Sequence, residues 1–415
     1  MTIGRLLGPV MSSAVTMSAT AIVIVALAVT SIEARAQGSS QARFAAWVES
    51  LWPDARRLGV SRKLFTAAFK GVVPDEAVEK SNAHQPEFVR PLWEYLERAV
   101  SAKRIRSGRT LLNKFDTRLR LIERRIGVDR HIVVAIWGME SNYGGNKGSH
   151  NVIQALATLA YRGERRSYGR TQLLAALQIL QRGDISIGEM KGSWAGAMGH
   201  TQFIPTTYNR YAVDFTRDGK RDIWGSMSDA LASTASYLKA SGWRTREPWG
   251  HEVQLPQGFD FADTGLAKKK LTAEWVGLGV KRANGAKFSE WAREASIIVP
   301  TGANGPAFMV FGNFRAIMRY NNSVAYALAV SQLAERFRSR GLVKRPWPVS
   351  DRPLSTSQKK ELQVLLASKG FKIGKIDGRL GPRTTAALRR FQQRAGLVPD
   401  GYASLKVLRR LRRGG

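Results

Sequence analysis

Apolar residues recur at helical spacing along most of the chain, in short, well-punctuated runs. Phe44, Trp47, Val48, Leu51 and Trp52 share one helical stripe until Pro53-Asp54 breaks it. Leu64, Phe65, Ala68 and Phe69 predict a second short helix, ended by Gly71 and Pro74. Phe88 to Arg109 keeps the helical reading and puts Trp93 and Tyr95 on different faces, so Tyr95 points either at core or at a ligand. Ile132 to Gly145, IVVAIWGMESNYGG, starts as an apolar helix and ends in small, polar and aromatic residues. Leu156 to Leu159 and Leu173 to Leu180 predict two more helices, separated by a polar loop over Tyr161 to Ser167. Ser228, Ala232, Ala235 and Leu238 mark a helix that carries Tyr237 and stops at Gly242-Trp243. The period then changes: Val253-Gln254-Leu255, Ile297-Ile298-Val299 and Phe308 to Phe311 read as short strands. Tyr320 to Phe337 returns to helix. Residues 344–350 hold Lys344-Arg345-Pro346-Trp347-Pro348 and read as a linker. Residues 351–412 carry three further helices, marked by Leu362, Leu365 and Leu366, by Thr384 to Phe391 and by Leu405 to Leu411. The pattern predicts a mainly α chain (α+β overall), with a small mixed α/β region and a separate C-terminal three-helix unit.

The Ile132 run contains one acid. Ile136 and Val133 precede Glu140 by four and seven positions and Trp137 by three, so Glu140 projects from the face expected to be buried. An acid there is paired, or is held partly neutral by desolvation. Ser141-Asn142 and Gly144-Gly145 end the helix one turn later, which sets Glu140 at the lip of a cleft as a candidate general acid. A helix-terminal Glu that caps a loop is the alternative. Further on, Gly192 to Phe215 reads GSWAGAMGHTQFIPTTYNRYAVDF. Its Ala195, Gly196, Ala197 and Gly199 let another chain approach the backbone, and Gln202 offers a donor and an acceptor suited to sugar amides and hydroxyls.

Charge narrows the partners. The 415 residues hold 65 Lys+Arg against 32 Asp+Glu, a formal +33, which implies polyanionic surroundings: nucleic acid, anionic lipid or an acidic wall polymer. Residues 351–415 alone hold 16 Lys/Arg and 4 Asp/Glu. There is no cysteine, so disulfides, thiolate metal sites and thiol nucleophiles are excluded. The five histidines show no metal-ligand spacing. Residues 1–36 read as an export signal: Arg5 supplies the positive end, Ala21 to Val29 the short apolar core, and Ala34-Arg35-Ala36 a small-x-small cleavage site before Gln37. The expected location is periplasmic. An uncleaved N-terminal membrane anchor is the alternative, although Ser12, Ser13, Thr16 and Ser18 interrupt its apolar run. Export, and the lack of any groove-reading or base-stacking motif, argue against a nucleic-acid partner.

The residues now carry a likeness. In order, IWGMESNYG, LATLAYRGERRSY, GSWAGAMGHTQFIPTTY, DGKRDIWGSMSDALASTASYL and RYNNSVAYALAV resemble the membrane-bound lytic murein transglycosylase B family over roughly residues 40–340. FKIGKIDGRLGPRTTAALRRFQQRAGLVPDG, residues 371–401, resembles the three-helix peptidoglycan-binding domain through Asp377-Gly378, Gly381, Thr384, Ala387-Leu388 and Phe391-Gln392. The resemblance implies a lysozyme-like catalytic region over 37–343, with its core at about 128–245, followed by a peptidoglycan-binding domain over 351–412. It implies non-hydrolytic cleavage of the MurNAc–GlcNAc β-1,4 bond of peptidoglycan glycan strands, leaving 1,6-anhydroMurNAc ends, in wall turnover and remodelling. Glu140 falls on the family's catalytic acid. Gln202, Tyr237, Tyr320, Tyr326 and Tyr95 fall on residues that contact sugar, and Arg165 and Arg166 on a basic pair near the substrate's carboxylate or peptide. Other cell-wall enzymes are implied as partners.

The family also carries a calcium loop. Asp214-x-Thr216-x-Asp218-Gly219-Lys220 matches the opening of an EF-hand, with the Lys220 carbonyl at position seven. Gly225 stands where the closing Glu belongs, so Asp229 is the substitute, and an Asp-rich turn without an ion is the alternative. A structural calcium is thus an expectation, and no cofactor is needed for the chemistry.

A glycosidase normally needs two carboxylates. Glu164, Asp184 and Glu189 are the nearby acids, and each is read as solvated. One acid suffices if the 2-acetamido group of the substrate attacks its own C1. A hydrolytic muramidase and a non-catalytic wall-binding scaffold are the competing readings.

Overall fold

Helix caps show why most elements start where they do. Ser61, Ser101, Asp129, Asn151, Ser226, Ser323, Ser355 and Ser404 each precede a helix and accept a first-turn backbone N–H on the side chain. The computed structural model describes residues 40–83, 90–162, 164–341 and 343–414. The export segment read over 1–36 lies outside them, as do Phe88 and Val89. Among the described residues no helix is long and apolar enough to cross a membrane.

The architecture is mainly helical, with two small sheets among the described residues. Two apolar cores share the helical part. One surrounds the helix Arg130–Ser141 and takes in Val324–Phe337, Met227–Ala240, Ala102–Lys114 and Asp116–Ile126. The other joins the N-terminal helices to Val152–Tyr161 and Arg166–Arg182. That last pair meets so closely that a Cβ on Gly169 would overlap the Ala160 backbone. Each fully buried large apolar side chain contributes about 1.5–3 kcal/mol relative to exposure.

Two helical stretches are interrupted. Phe88–Arg109 contains parts of two helices, Leu92–Ala99 and Ala102–Lys114, separated at Val100-Ser101. Tyr320–Phe337 is not one helix: Gly312–Tyr320 ends at Tyr320, and Val324–Phe337 starts after Asn321-Asn322-Ser323. Ser323 Oγ accepts the Tyr326 N–H at 3.3 Å and so fixes the new start.

The three expected strands form the centre of a five-stranded antiparallel sheet. Its order is Lys270–Leu271, Glu294–Ile298, Ala307–Val310, Gly250–Gln254, Lys281–Arg282. Trp275, Phe311 and Met309 are buried against it. Farther along, Thr356–Ser368, Pro382–Arg394 and Leu405–Arg412 enclose their own core of Leu362, Leu366, Leu388, Phe391 and Leu408. Gln363 is fully buried there: its amide nitrogen donates to the Lys375 and Arg379 carbonyls, and its oxygen accepts the Gly378 N–H. Polar contacts among the described residues join this unit to the rest. Asp400 accepts the Ala303 N–H at 2.8 Å, Arg389 donates to Thr264 Oγ1 at 2.9 Å, and Arg352 pairs with Glu94 at 3.1 Å.

Candidate active site

The helix Arg130–Ser141 is buried nearly all round, not along one stripe: every residue from Ile132 to Gly138 is buried. Helical spacing alone therefore did not single out the face of Glu140. The helix ends at Ser141, the first of the two stop signals in the sequence, because Asn142 takes a left-handed conformation at φ 50°. Tyr143 follows at φ 59°. Two successive non-glycine residues there cost about 1–3 kcal/mol each, so surrounding contacts must impose the turn. The contacts are visible. Tyr143 folds back over Gly138, where a Cβ would overlap its ring, and its hydroxyl donates to the Arg104 carbonyl at 2.7 Å.

The GSWAGAMGHTQF segment is latched to this turn. Trp137 Nε1 donates to His200 Nδ1 at 3.0 Å, and Ser141 Oγ donates to the His200 carbonyl at 2.9 Å. Burial and the nearby Lys147 push the His200 imidazole down to about 4, so it stays neutral and keeps Nδ1 as an acceptor. His200 was missed from sequence because a lone histidine has no spacing signal. Gln202 is left-handed at φ 52°, and its amide nitrogen donates to the Gly199 carbonyl at 2.9 Å and the Lys147 carbonyl at 3.2 Å. The expectation of donor and acceptor capacity toward a sugar is corrected here: the donors hold backbone, and the side-chain oxygen is what remains.

Glu140 is half-buried at the mouth of this arrangement. Tyr326, from a helix 186 positions later in the chain, donates its hydroxyl to Glu140 Oε1 at 2.5 Å. Burial raises the carboxyl to about 7 against the opposing pull of that hydrogen bond. Tyr95 lies close enough for Glu140 to help raise its phenol, after burial itself. The phenols of Tyr320 and Tyr326 are also raised, by burial first and then by Glu140. Tyr320 donates to the Thr201 carbonyl at 2.7 Å, and Tyr237 donates to the Arg319 carbonyl. Tyr237 and Tyr320 meet edge to face at 5.0 Å, with Phe203 5.8 Å from each. These tyrosines thus offer aromatic surface more than free hydroxyls.

Arg165 and Arg166 are exposed. Arg165 lies 4.4 Å over the Tyr168 ring, and Tyr168 donates to the Ala195 carbonyl at 2.8 Å. Among the three other acids, Glu164 and Glu189 are exposed as expected. Asp184 is not solvated: it is 5% exposed and pairs with Arg182 and Arg221, each at 3.0 Å. Burial raises its carboxyl, but the Arg221 N–H and both guanidinium groups outweigh that and hold it below the usual range. Its role is to brace the loop. At Glu140, burial raises the carboxyl and the Tyr326 hydroxyl opposes it.

The acidic loop is well ordered by its own bonds. Asp214 accepts the N–H groups of Arg217 at 2.6 Å and Gly219 at 2.9 Å, and Thr216 Oγ1 reaches it at 3.3 Å. Asp229, fully buried, accepts the N–H groups of Phe215, Thr216 and Asp222. Oxygens of Asp214, Asp218 and Asp229 lie within 4.8 Å of one another. Burial raises the Asp229 carboxyl despite its N–H donors, and the charge of Asp214 adds to the rise. A cation among the three would relieve that repulsion, so the residues fit a calcium ion.

Comparison with known proteins agrees with this geometry. The Transglycosylase SLT domain profile matches residues 43–335, and the Putative peptidoglycan binding domain profile matches 355–411. Membrane-bound lytic murein transglycosylase B of Escherichia coli (strain K12) is 32% identical over 248 residues, 58% of this chain and 66% of its own length. The chain therefore spans just under two thirds of that relative. SltB3 from Pseudomonas aeruginosa, crystallised with NAG-anhNAM-pentapeptide, is 51% identical with a TM-score of 0.86, covering 89% of this chain and 99% of its own. The Escherichia coli lytic transglycosylase Slt35 in complex with calcium is 25% identical with a TM-score of 0.61, covering 71% of this chain and 92% of its own. On a match that runs from the first described helix to the end of the Tyr326 helix, the chain belongs to the transglycosylase SLT domain family.

Proposed function

We propose that the protein is a peptidoglycan lytic transglycosylase that cuts the MurNAc–GlcNAc β-1,4 bond and leaves 1,6-anhydroMurNAc ends. One observation carries this reading: Glu140, half-buried and raised to about 7, is held by the hydroxyl of Tyr326 from a distant helix. Protonated Glu140 donates to the glycosidic oxygen as the C1–O bond breaks. The substrate's own acetamido oxygen bonds to C1 in place of a protein nucleophile. Glu140, now a carboxylate, takes the proton of the C6 hydroxyl, whose oxygen attacks C1 and releases the acetamido group. The internal hydroxyl outcompetes water because it is already positioned. Tyr95, Tyr237 and Tyr320 line the sugar site, Gln202 offers its side-chain oxygen, and Arg165 and Arg166 meet the stem peptide.

Calcium, held by Asp214, Thr216, Asp218, the Lys220 carbonyl and Asp229, would brace the loop and take no part in the chemistry. The protein works in the periplasm on glycan strands, beside other cell-wall enzymes, with residues 351–412 as its wall-binding domain. Digestion of purified sacculi followed by mass analysis tests the reading. Muropeptides lighter by one water than the hydrolytic products are expected. Reducing, hydrated ends would make the enzyme a muramidase, and intact sacculi would make it a scaffold.

A further inference from the structure

The sheet region carries a groove of its own, about 680 Å3 in volume, and neither Glu140 nor its partner Tyr326 lines it. Val280 and Phe288 are buried at its base, and Trp291 stands on its wall, 47% exposed. Lys281, Lys287 and Lys344 line it, all exposed. A cavity of about 400 Å3 shares Arg282, Asn284 and Lys344 with the groove and extends it toward Arg340. The acids of this surface are already engaged. Glu252 accepts the N–H groups of Lys344 at 2.7 Å and Arg345 at 2.8 Å, while Asp129 and Glu335 hold Arg338. Among the described residues, Lys281, Lys287, Arg340 and Lys344 have no carboxylate within ion-pair reach.

A lone exposed tryptophan means little by itself. Here it stands in a groove ringed by unpaired cations, whose mutual repulsion an anionic ligand relieves. A flat lipid surface could meet the lysines but could not enter the groove. A sugar ring can lie on the tryptophan face while carboxylates hung from the same chain reach the ammonium groups. The geometry points to a second, non-catalytic binding site for peptidoglycan, with a sugar stacked on Trp291 and stem-peptide carboxylates paired with Lys281, Lys287 and Lys344. The inference rests on peptidoglycan being the polymer the enzyme handles.

The test uses the full chain. Trp291→Ala and the double variant Lys281→Glu/Lys287→Glu are each made in the active protein and in a Glu140→Gln background. Cosedimentation with intact sacculi, with sacculi stripped of stem peptides by an amidase, and with anionic phospholipid vesicles reads binding, while cleavage of soluble glycan fragments reads the catalytic site. Both variants should weaken retention on intact sacculi about five- to tenfold, with soluble-fragment cleavage unchanged. On stripped glycan the lysine variant should match its parent and Trp291→Ala should stay weak. Parental retention by both variants overturns the site, as does a deficit confined to vesicles. Should Trp291→Ala fold poorly, the exposed lysine pair decides alone. Failure of the unmodified chain to cleave soluble glycan sinks the catalytic reading instead, and is seen separately from these binding differences.

Discussion

Two helices of the molecule make opposite use of the same amino-acid alphabet. Arg130–Ser141 has eight of its twelve residues buried, and its one acid is pushed up to about 7 by the surrounding apolar material. Leu405–Arg412 buries Val407, Leu408 and Leu411 along one seam and turns Lys406, Arg409, Arg410 and Arg412 to solvent. The first helix withdraws an ionisable group from water and so raises it toward neutrality, as the proposed general acid requires. The second pairs Arg412 with Glu361 and leaves Lys406, Arg409 and Arg410 hydrated, where each is worth little alone but all add to long-range attraction for an acidic polymer. Chemistry and retention are thereby assigned to different physical regimes, one dry and fixed, the other wet and additive.

That contrast breaks most sharply at the acid. Glu140→Gln keeps the shape and removes the transferable proton, so turnover on soluble glycan should fall on the order of a hundredfold or more while sacculus binding persists. Near-normal turnover would move the acid elsewhere. Tyr326→Phe is the next largest change. The lost hydroxyl had lowered the Glu140 carboxyl, so its removal raises it. In the parent, activity should decline as pH rises through about 7 and the acid loses its proton. In Tyr326→Phe that decline should move to higher pH, with kcat lowered roughly tenfold by the lost positioning. An unmoved limb would separate the limb from Glu140.

On the wet side, Arg409→Glu/Arg410→Glu should weaken sacculus retention several-fold, most clearly at low salt, and leave the pH profile of soluble cleavage alone. A shifted profile would show that the two regimes are not independent. The smallest effect concerns the acidic loop. Three carboxylates without a closing Glu suggest weak affinity, about 10⁻⁵–10⁻³ M, so millimolar calcium should raise Tm by a degree or a few. EDTA should slow cleavage little. No melting shift between EDTA and several millimolar calcium would leave the loop to its hydrogen bonds.

Most of the helical fold was legible because amphipathic spacing and side-chain caps are local signals. The central strands were legible for the same reason, whereas Lys270–Leu271 and Lys281–Arg282 are two-residue edges without alternation to read. The break at Asn321-Asn322-Ser323 was readable in principle, since a serine before a new apolar run is a capping signal. Asp184 looked like a loop acid, and nothing local announces that Arg221, 37 positions on, comes back to pair with it. The meeting of Tyr326 with Glu140 is of the same kind. A lone acid in an apolar helix drew attention to Glu140, although a helix buried nearly all round gives spacing no face to select, and the resemblance nominated the tyrosines. The expenditure of Gln202 donors and tyrosine hydroxyls on backbone carbonyls is a property of loops packed in three dimensions, and no sequence interval encodes it.

Asp400 has one further consequence. One oxygen accepts Gln392 Nε2 at 2.7 Å within its own unit, and the other reaches across to the Ala303 N–H at 2.8 Å. Backed by Arg389 on Thr264 and Arg352 on Glu94, it makes a bracket of the junction. A protein swinging on a loose leash would cut anywhere within the leash's radius. For a bracketed one that grips the wall with its C-terminal unit, as proposed above, the expected cut lies at a set offset from the grip, so the spacing of scissions along a strand would be a dimension of the enzyme itself, as the gap of a caliper is a dimension of the tool.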